Sequence, residues 1–91
     1  MSYPSITIIR SSNLILGSAS AAAKPVSQDA SSVRLVGTVD TWISLSGAAS
    51  VGTSWLLPVG HVEYLRASPG TVISAIPDNG SAGTVNITEI G

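Results

Sequence analysis

A net charge of −1, no cysteine, and a chain that is 10% charged and 44% hydrophobic exclude a disulfide framework, a cysteine-built metal site and a polyanion-binding surface in these 91 residues. An ordinary soluble domain carries ~25% charged residues, and a surface this poor in them tolerates contact with other protein. A chain of this length forms one domain, here 1–91, and with disulfides and zinc closed off, self-association is the remaining common way to stabilise so small a core.

The chain opens on Ser5-Ile6-Thr7-Ile8, an apolar and polar alternation that predicts a strand over 5–10, followed by a second over 13–17. Residues 1–12 have no basic region ahead of an apolar core, so no secretory signal is read there. That stretch is expected to serve as an extended N-terminal arm that adds a strand to a neighbouring subunit. Residues 17–32 are rich in Ser and Ala. Ala19–Lys24 has some helical propensity, but Pro25 pushes Lys24 out of the helical region, and the segment reads as extended or irregular.

From residue 32 onward strands and turns alternate closely. Val33-Arg34-Leu35 carries a strand over 32–38. A strand over 41–46 places Ile43 and Leu45 on one face and Trp42 on the other. Gly47–Gly52 is a loop of small residues, and 54–58 is the next strand. Pro58-Val59-Gly60 turns into a strand over 61–67, which pairs Val62 with Tyr64 and sends Glu63 to the opposite face. Pro69-Gly70 turns into 71–77, and Asp78-Asn79-Gly80 into 83–90, where Val85-Asn86-Ile87-Thr88 alternates strictly. The last two runs, 71–76 and 84–90, are predicted to form the final hairpin.

These elements predict an all-β fold, a small antiparallel β-sandwich or jelly-roll-like module of about eight short strands. The residues expected to fill the sheet faces are Ile43, Leu45, Val62, Tyr64, Val72, Ile76, Val85 and Ile87.

No chemistry-bearing motif stands out. His61 is the only histidine, and its one neighbouring carboxylate, Glu63, lies two residues on; they share a strand face but lack further ligands, so His61 reads as a turn or strand-start residue. No G-x-S-x-G elbow is present, and Gly47–Gly52 lacks the Lys-Ser/Thr ending of a phosphate cradle. Asn86-Ile87-Thr88 matches a glycosylation acceptor but lies within a strand and reads as a chance match. Four dispersed basic residues give no nucleic-acid surface, and no run reaches the roughly 18 apolar residues of a membrane helix. The expectation is therefore no enzyme, no cofactor and no metal.

What remains are candidate contact residues. Two of the four aromatic residues are tryptophan, and Trp42 and Trp55 read as core filler, as interface anchors or as a sugar-stacking surface. Glu63 and Arg66 lie on opposite faces of one strand, with Arg34 expected beside one of them across the sheet, as a solvated pair or an inter-subunit salt bridge. The interface candidates are Trp42, Trp55, Arg34, Arg66 and Glu63.

The order Val33-Arg34-Leu35-Val36, Thr41-Trp42-Ile43-Ser44-Leu45, Ser54-Trp55-Leu56-Leu57-Pro58-Val59-Gly60, Val62-Glu63-Tyr64, Ser68-Pro69-Gly70 and Gly83-Thr84-Val85-Asn86-Ile87-Thr88-Glu89 resembles small all-β virion proteins of tailed bacteriophages, in particular head decoration (cement) proteins. The resemblance rests on turn and strand signals and does not extend to the N-terminal third. It implies a β-sandwich or jelly-roll module on the exterior of the capsid, assembled in the host cytoplasm. That module binds itself, often as a homotrimer, and bridges major capsid protein subunits without a cofactor. The alternatives are a tail or receptor/carbohydrate-binding module, or a head–tail connector subunit.

Overall fold

The computed structural model describes residues 7–80 and 82–91 of an all-β chain with two antiparallel four-stranded sheets. The strands are β1 (Ile8–Leu16), β2 (Ala21–Ala22), β3 (Ser32–Gly37), β4 (Thr41–Ser44), β5 (Trp55–Leu57), β6 (Glu63–Arg66), β7 (Ser74–Pro77) and β8 (Gly83–Ile90). One sheet runs β1-β8-β3-β6 and the other β2-β7-β4-β5.

This order follows from four nested antiparallel pairs. β4 pairs with β5, β3 with β6, β2 with β7 and β1 with β8, as in one long hairpin. The hairpin is rolled so that β3 also meets β8 and β4 also meets β7. Eight strands rolled in this way are a jelly roll, which agrees with the expected fold class.

The pairing corrects the predicted last hairpin. β7 and β8 belong to different sheets, and the Asp78-Asn79-Gly80 turn leads from one to the other. A local turn signal says only that the chain reverses; the partner of β8 is chosen by burial of Val85 and Ile87 against the opposite sheet. The turns themselves form where the sequence places them, with Gly60, Gly70 and Gly80 at φ 71°, 86° and 71°, where a Cβ would be strained.

β1 is a single nine-residue strand in place of the two predicted over 5–10 and 13–17. Ile8–Ser12 therefore belong to the sheet, paired with Ile87–Ile90 of β8, and are not a free arm; residues 1–6 of that proposed arm lie outside the described residues. The irregular segment 17–32 contains the two-residue strand β2, which pairs with Ser74–Ala75.

The core lies between the sheets. Val33 and Leu35 of β3, Val85 and Ile87 of β8, Ile43 of β4, Leu57 of β5 and Ala75 of β7 are each at most 3% exposed. Ile43, Val85 and Ile87 were expected there. Leu45, Val62, Tyr64 and Val72 were too, and instead are exposed, while Ile76 is half-buried on an outward face. In β6 the phase is reversed: Leu65, opposite Val33, faces in, and Tyr64, opposite Arg34, faces out. Leu45 lies beyond the end of β4, and Ile73, one residue after Val72, takes the core position.

Candidate interaction surface

β5 and β6 are the edge strands on one side of the sandwich; the turn after β5 meets β3 there through Gly60 N–H and the Gly37 carbonyl, and an open groove lies further along. Leu57 and Trp55 share the inward face of β5. Leu57 is fully buried, whereas Trp55, one pair nearer the strand's start, is 40% exposed. Trp55 sits opposite Ile43 on β4. With Ile43, Leu45 and Leu65 it lines an open groove whose remaining wall is the hydroxyl residues Ser44, Ser46, Thr53 and Ser54. Val62, just before β6, and Leu56 on β5 add further exposed apolar surface. Apolar area left in water forgoes about 25 cal/mol per Å². Two edge strands beside it also leave backbone donors and acceptors without a sheet partner.

The five sequence candidates do not converge on this groove. Trp55 is its centre. Trp42 lies on the outward face of the β2-β7-β4-β5 sheet, between Leu56 and Ile76, with its indole Nε1–H donating to Asp78 Oδ1 at 2.8 Å. Its ring is half-buried, and its polar edge is already engaged. Arg34 and Arg66 lie on the outward face of the other sheet. Arg34 is opposite Tyr64, and Arg66 is opposite Ser32, which makes the two arginines diagonal neighbours. Glu63 is inward in phase, reaches the edge of the sheet, and shares a 2.7 Å contact with His61 Nε2. His61 precedes β6, and its ring and the Glu63 carboxylate engage each other. Among the described residues no group of three or more His, Cys, Asp or Glu is placed to hold one. No helix of the described residues is long and apolar enough to cross a membrane.

One polar cluster went unnoticed in the sequence. Glu89, inward-facing on β8, is only 2% exposed. Its Oε1 accepts the Ser27 backbone N–H at 2.9 Å and the Ser27 hydroxyl at 2.7 Å, and its Oε2 pairs with Arg10. A bulge in β1 between Ile8 and Arg10 turns both Ile9 and Arg10 inward, and Arg10 Nη2 also donates to the Pro25 carbonyl at 2.9 Å. Burial by itself raises a carboxyl's pKa. Here the Ser27 hydroxyl and backbone N–H, together with the Arg10 guanidinium, outweigh it and hold Glu89 below the ordinary glutamate value. Both carboxylate oxygens are engaged, and they tie segment 25–27 and Arg10 to the sheet. Only the acidic character of Glu89 at the end of an alternating strand hinted at it, since Ser27 and Arg10 are remote in sequence.

On the outward face above it, Ser11, Asn13, Asn86 and Thr88 form a hydrogen-bonded network across β1 and β8. Asn86 Nδ2 donates to Asn13 Oδ1 at 3.0 Å, and the Thr88 hydroxyl donates to Asn86 Oδ1 at 2.9 Å. Asn86 is thus held within the sheet surface. No protein-family model matches the chain, and neither a curated protein nor a solved structure matches it.

Proposed function

We propose that this chain is a structural subunit of a virus particle, a decoration protein that self-associates and docks on the exterior of a tailed-bacteriophage head, bridging copies of the major capsid protein. The observation that carries the reading is the open groove on the β5/β6 side. Trp55, Leu45 and Leu65 line a groove between two open strand edges on a chain only 10% charged. A partner that covers the groove gains its apolar area, and a partner strand satisfies the edges. Jelly rolls recur in viral shells and in lectins, which makes the fold compatible with the role without assigning it. The resemblance of the stretch from Val33 to Glu89 to phage decoration proteins is the second support. Docking of this kind draws affinity from repeated copies and needs no cofactor.

The test is sedimentation velocity on the purified chain, followed by a cryo-electron map of the source particle. The expected result is an oligomer at micromolar concentration, a trimer if the resemblance holds, and matching density on the head exterior. A stable monomer, or density confined to another part of the particle, overturns the reading.

A second reading is favoured by the hydroxyls around Trp55. An exposed indole among Ser44, Ser46, Thr53 and Ser54 is a surface on which a sugar ring stacks. Binding on a glycan array that is lost in Trp55→Ala supports this receptor-binding alternative.

A further inference from the structure

The few charges of the chain are distributed unevenly. Among the described residues, Arg10–Glu89 and His61–Glu63 are matched within the fold. Four others sit in two like-charge pairs, on different sheets. Arg34 and Arg66 are diagonal neighbours on the outward face of the β1-β8-β3-β6 sheet, where diagonal positions are ~7–8 Å apart. The two carboxylates of that sheet's strands, Glu63 and Glu89, both belong to the inward set, so among the described residues those strands place no anion beside the arginines. Asp40 and Asp78 flank the Thr41–Pro77 pair that ends the other sheet, and the Asp78 N–H donates to the Asp40 carbonyl at 2.9 Å. Each carboxylate is fixed by one oxygen. Asp40 Oδ1 accepts the Val59 N–H, and Asp78 Oδ1 accepts the Trp42 indole, both at 2.8 Å. Both aspartates are exposed.

Like charges held side by side repel, and an opposite charge brought against them turns that repulsion into attraction. Within one chain these pairs do not meet. β3 ends beside the Asp40 loop, while Arg66 closes β6 at the far end of the same sheet. We propose that the Asp40/Asp78 pair of one copy docks on the Arg34/Arg66 pair of the next. This rests on the self-association reading above and adds a charged contact outside the Trp55 groove. Two arginines facing two carboxylates suit charge-assisted hydrogen bonds, and Tyr64, opposite Arg34 and 59% exposed, supplies apolar area beside them. The two pairs lie on the outward faces of different sheets, so a single contact does not form both pairings at once; the contact is then head to tail, and it closes as a ring or continues as a filament.

The test is sedimentation of the full chain at low salt and in ~1 M salt, where screening shortens to ~3 Å. Salt is expected to weaken assembly. R34Q/R66Q and D40N/D78N, the latter retaining the acceptor oxygens for Val59 and Trp42, are each expected to raise the dissociation constant ~10-fold. R34E/R66E and D40K/D78K are expected to be monomers alone and to assemble when mixed in equal amounts, since each then presents what the other lacks. Circular dichroism establishes that each variant is folded. If D40K/D78K does not fold, the two neutral variants and the salt series decide. A wild-type chain that assembles with no response to salt or to the neutral pairs, or folded reversed variants that fail to assemble on mixing, overturns the charge-paired contact and leaves self-association standing. A monomeric wild type overturns both.

Discussion

The two long sides of the sandwich are built differently. Along the side of β1 and β2, segment 25–27 spans the gap and is tied down by polar groups. Ser27 gives two hydrogen bonds to the buried Glu89, which also pairs with Arg10, and Arg10 reaches the Pro25 carbonyl. Along the side of β5 and β6, no ion pair crosses between the sheets among the described residues, and the gap is lined by Trp55, Leu45 and Leu65. A chain with so few charges places its buried ion pair where the fold must close on itself, and leaves apolar side chains where it does not. The groove on the β5/β6 side is the one with an exposed tryptophan at its centre, whereas the groove between β1 and β2 is lined mostly by small and polar residues.

The comparison breaks most visibly at Leu57, the innermost residue of the open side. It is fully buried, and Leu57→Ala removes packing from both sheets. Urea unfolding is expected to show a loss of about 2–5 kcal/mol. A loss under about 1 kcal/mol places the core boundary further in than Leu57.

Glu89→Ala tests the tied side and is expected to cost about 1–3 kcal/mol. It leaves the Ser27 N–H and the Arg10 guanidinium without their acceptor. Arg10 is 37% exposed, so water recovers part of its charge and keeps the loss below that of a fully buried pair. The same carboxylate predicts an acid limit. Its folded pKa lies below the ordinary value of 4.5, so its contribution is fully present above that pH and is lost as pH falls through the lowered value. Wild-type stability measured from neutral pH downward should fall in that acid window, and the fall should be shallower in Glu89→Ala. Equal slopes remove Glu89 from the acid response.

How far these regions were legible in the sequence depended on how one-sided each strand is. Val85-Asn86-Ile87-Thr88 sets apolar against polar without ambiguity, and its phase is as expected. Trp42 and Ile43 likewise fall on the opposite faces their alternation implied. In β6 both faces carry one polar and one apolar residue, and local periodicity has nothing to decide between them. The register with β3 decides, since Leu65 meets Val33 and Tyr64 meets Arg34, a long-range pairing that no window of the sequence contains. The nested pairing that joins β1 to β8 is longer still, which is why a turn signal led to a hairpin of β7 with β8 instead. Among the candidate contacts, Trp55 was singled out because half of the aromatic residues are tryptophan, whereas Asp78 reads in sequence as a turn residue and only the fold sets Asp40 beside it.

The smallest expected effect on the fold, and the most informative, comes from Trp55→Ala. Trp55 is on the inward face of β5, yet 40% of it remains in water, because the sheets part at that edge. Truncation removes its contact with Ile43 but opens no closed cavity, since the groove already admits solvent. Unfolding of the isolated subunit should therefore change by only about 1 kcal/mol, well below the Leu57 effect two residues away. If the groove is where a partner sits, the same truncation should weaken assembly far more, by a factor of ~30 or above, as for a central aromatic anchor. The ratio of the two effects separates the roles: a core residue lowers both together, while an anchor spares the fold. A Trp55→Ala chain that assembles as well as wild type removes the groove from the contact, and the open side of the sandwich then needs another explanation.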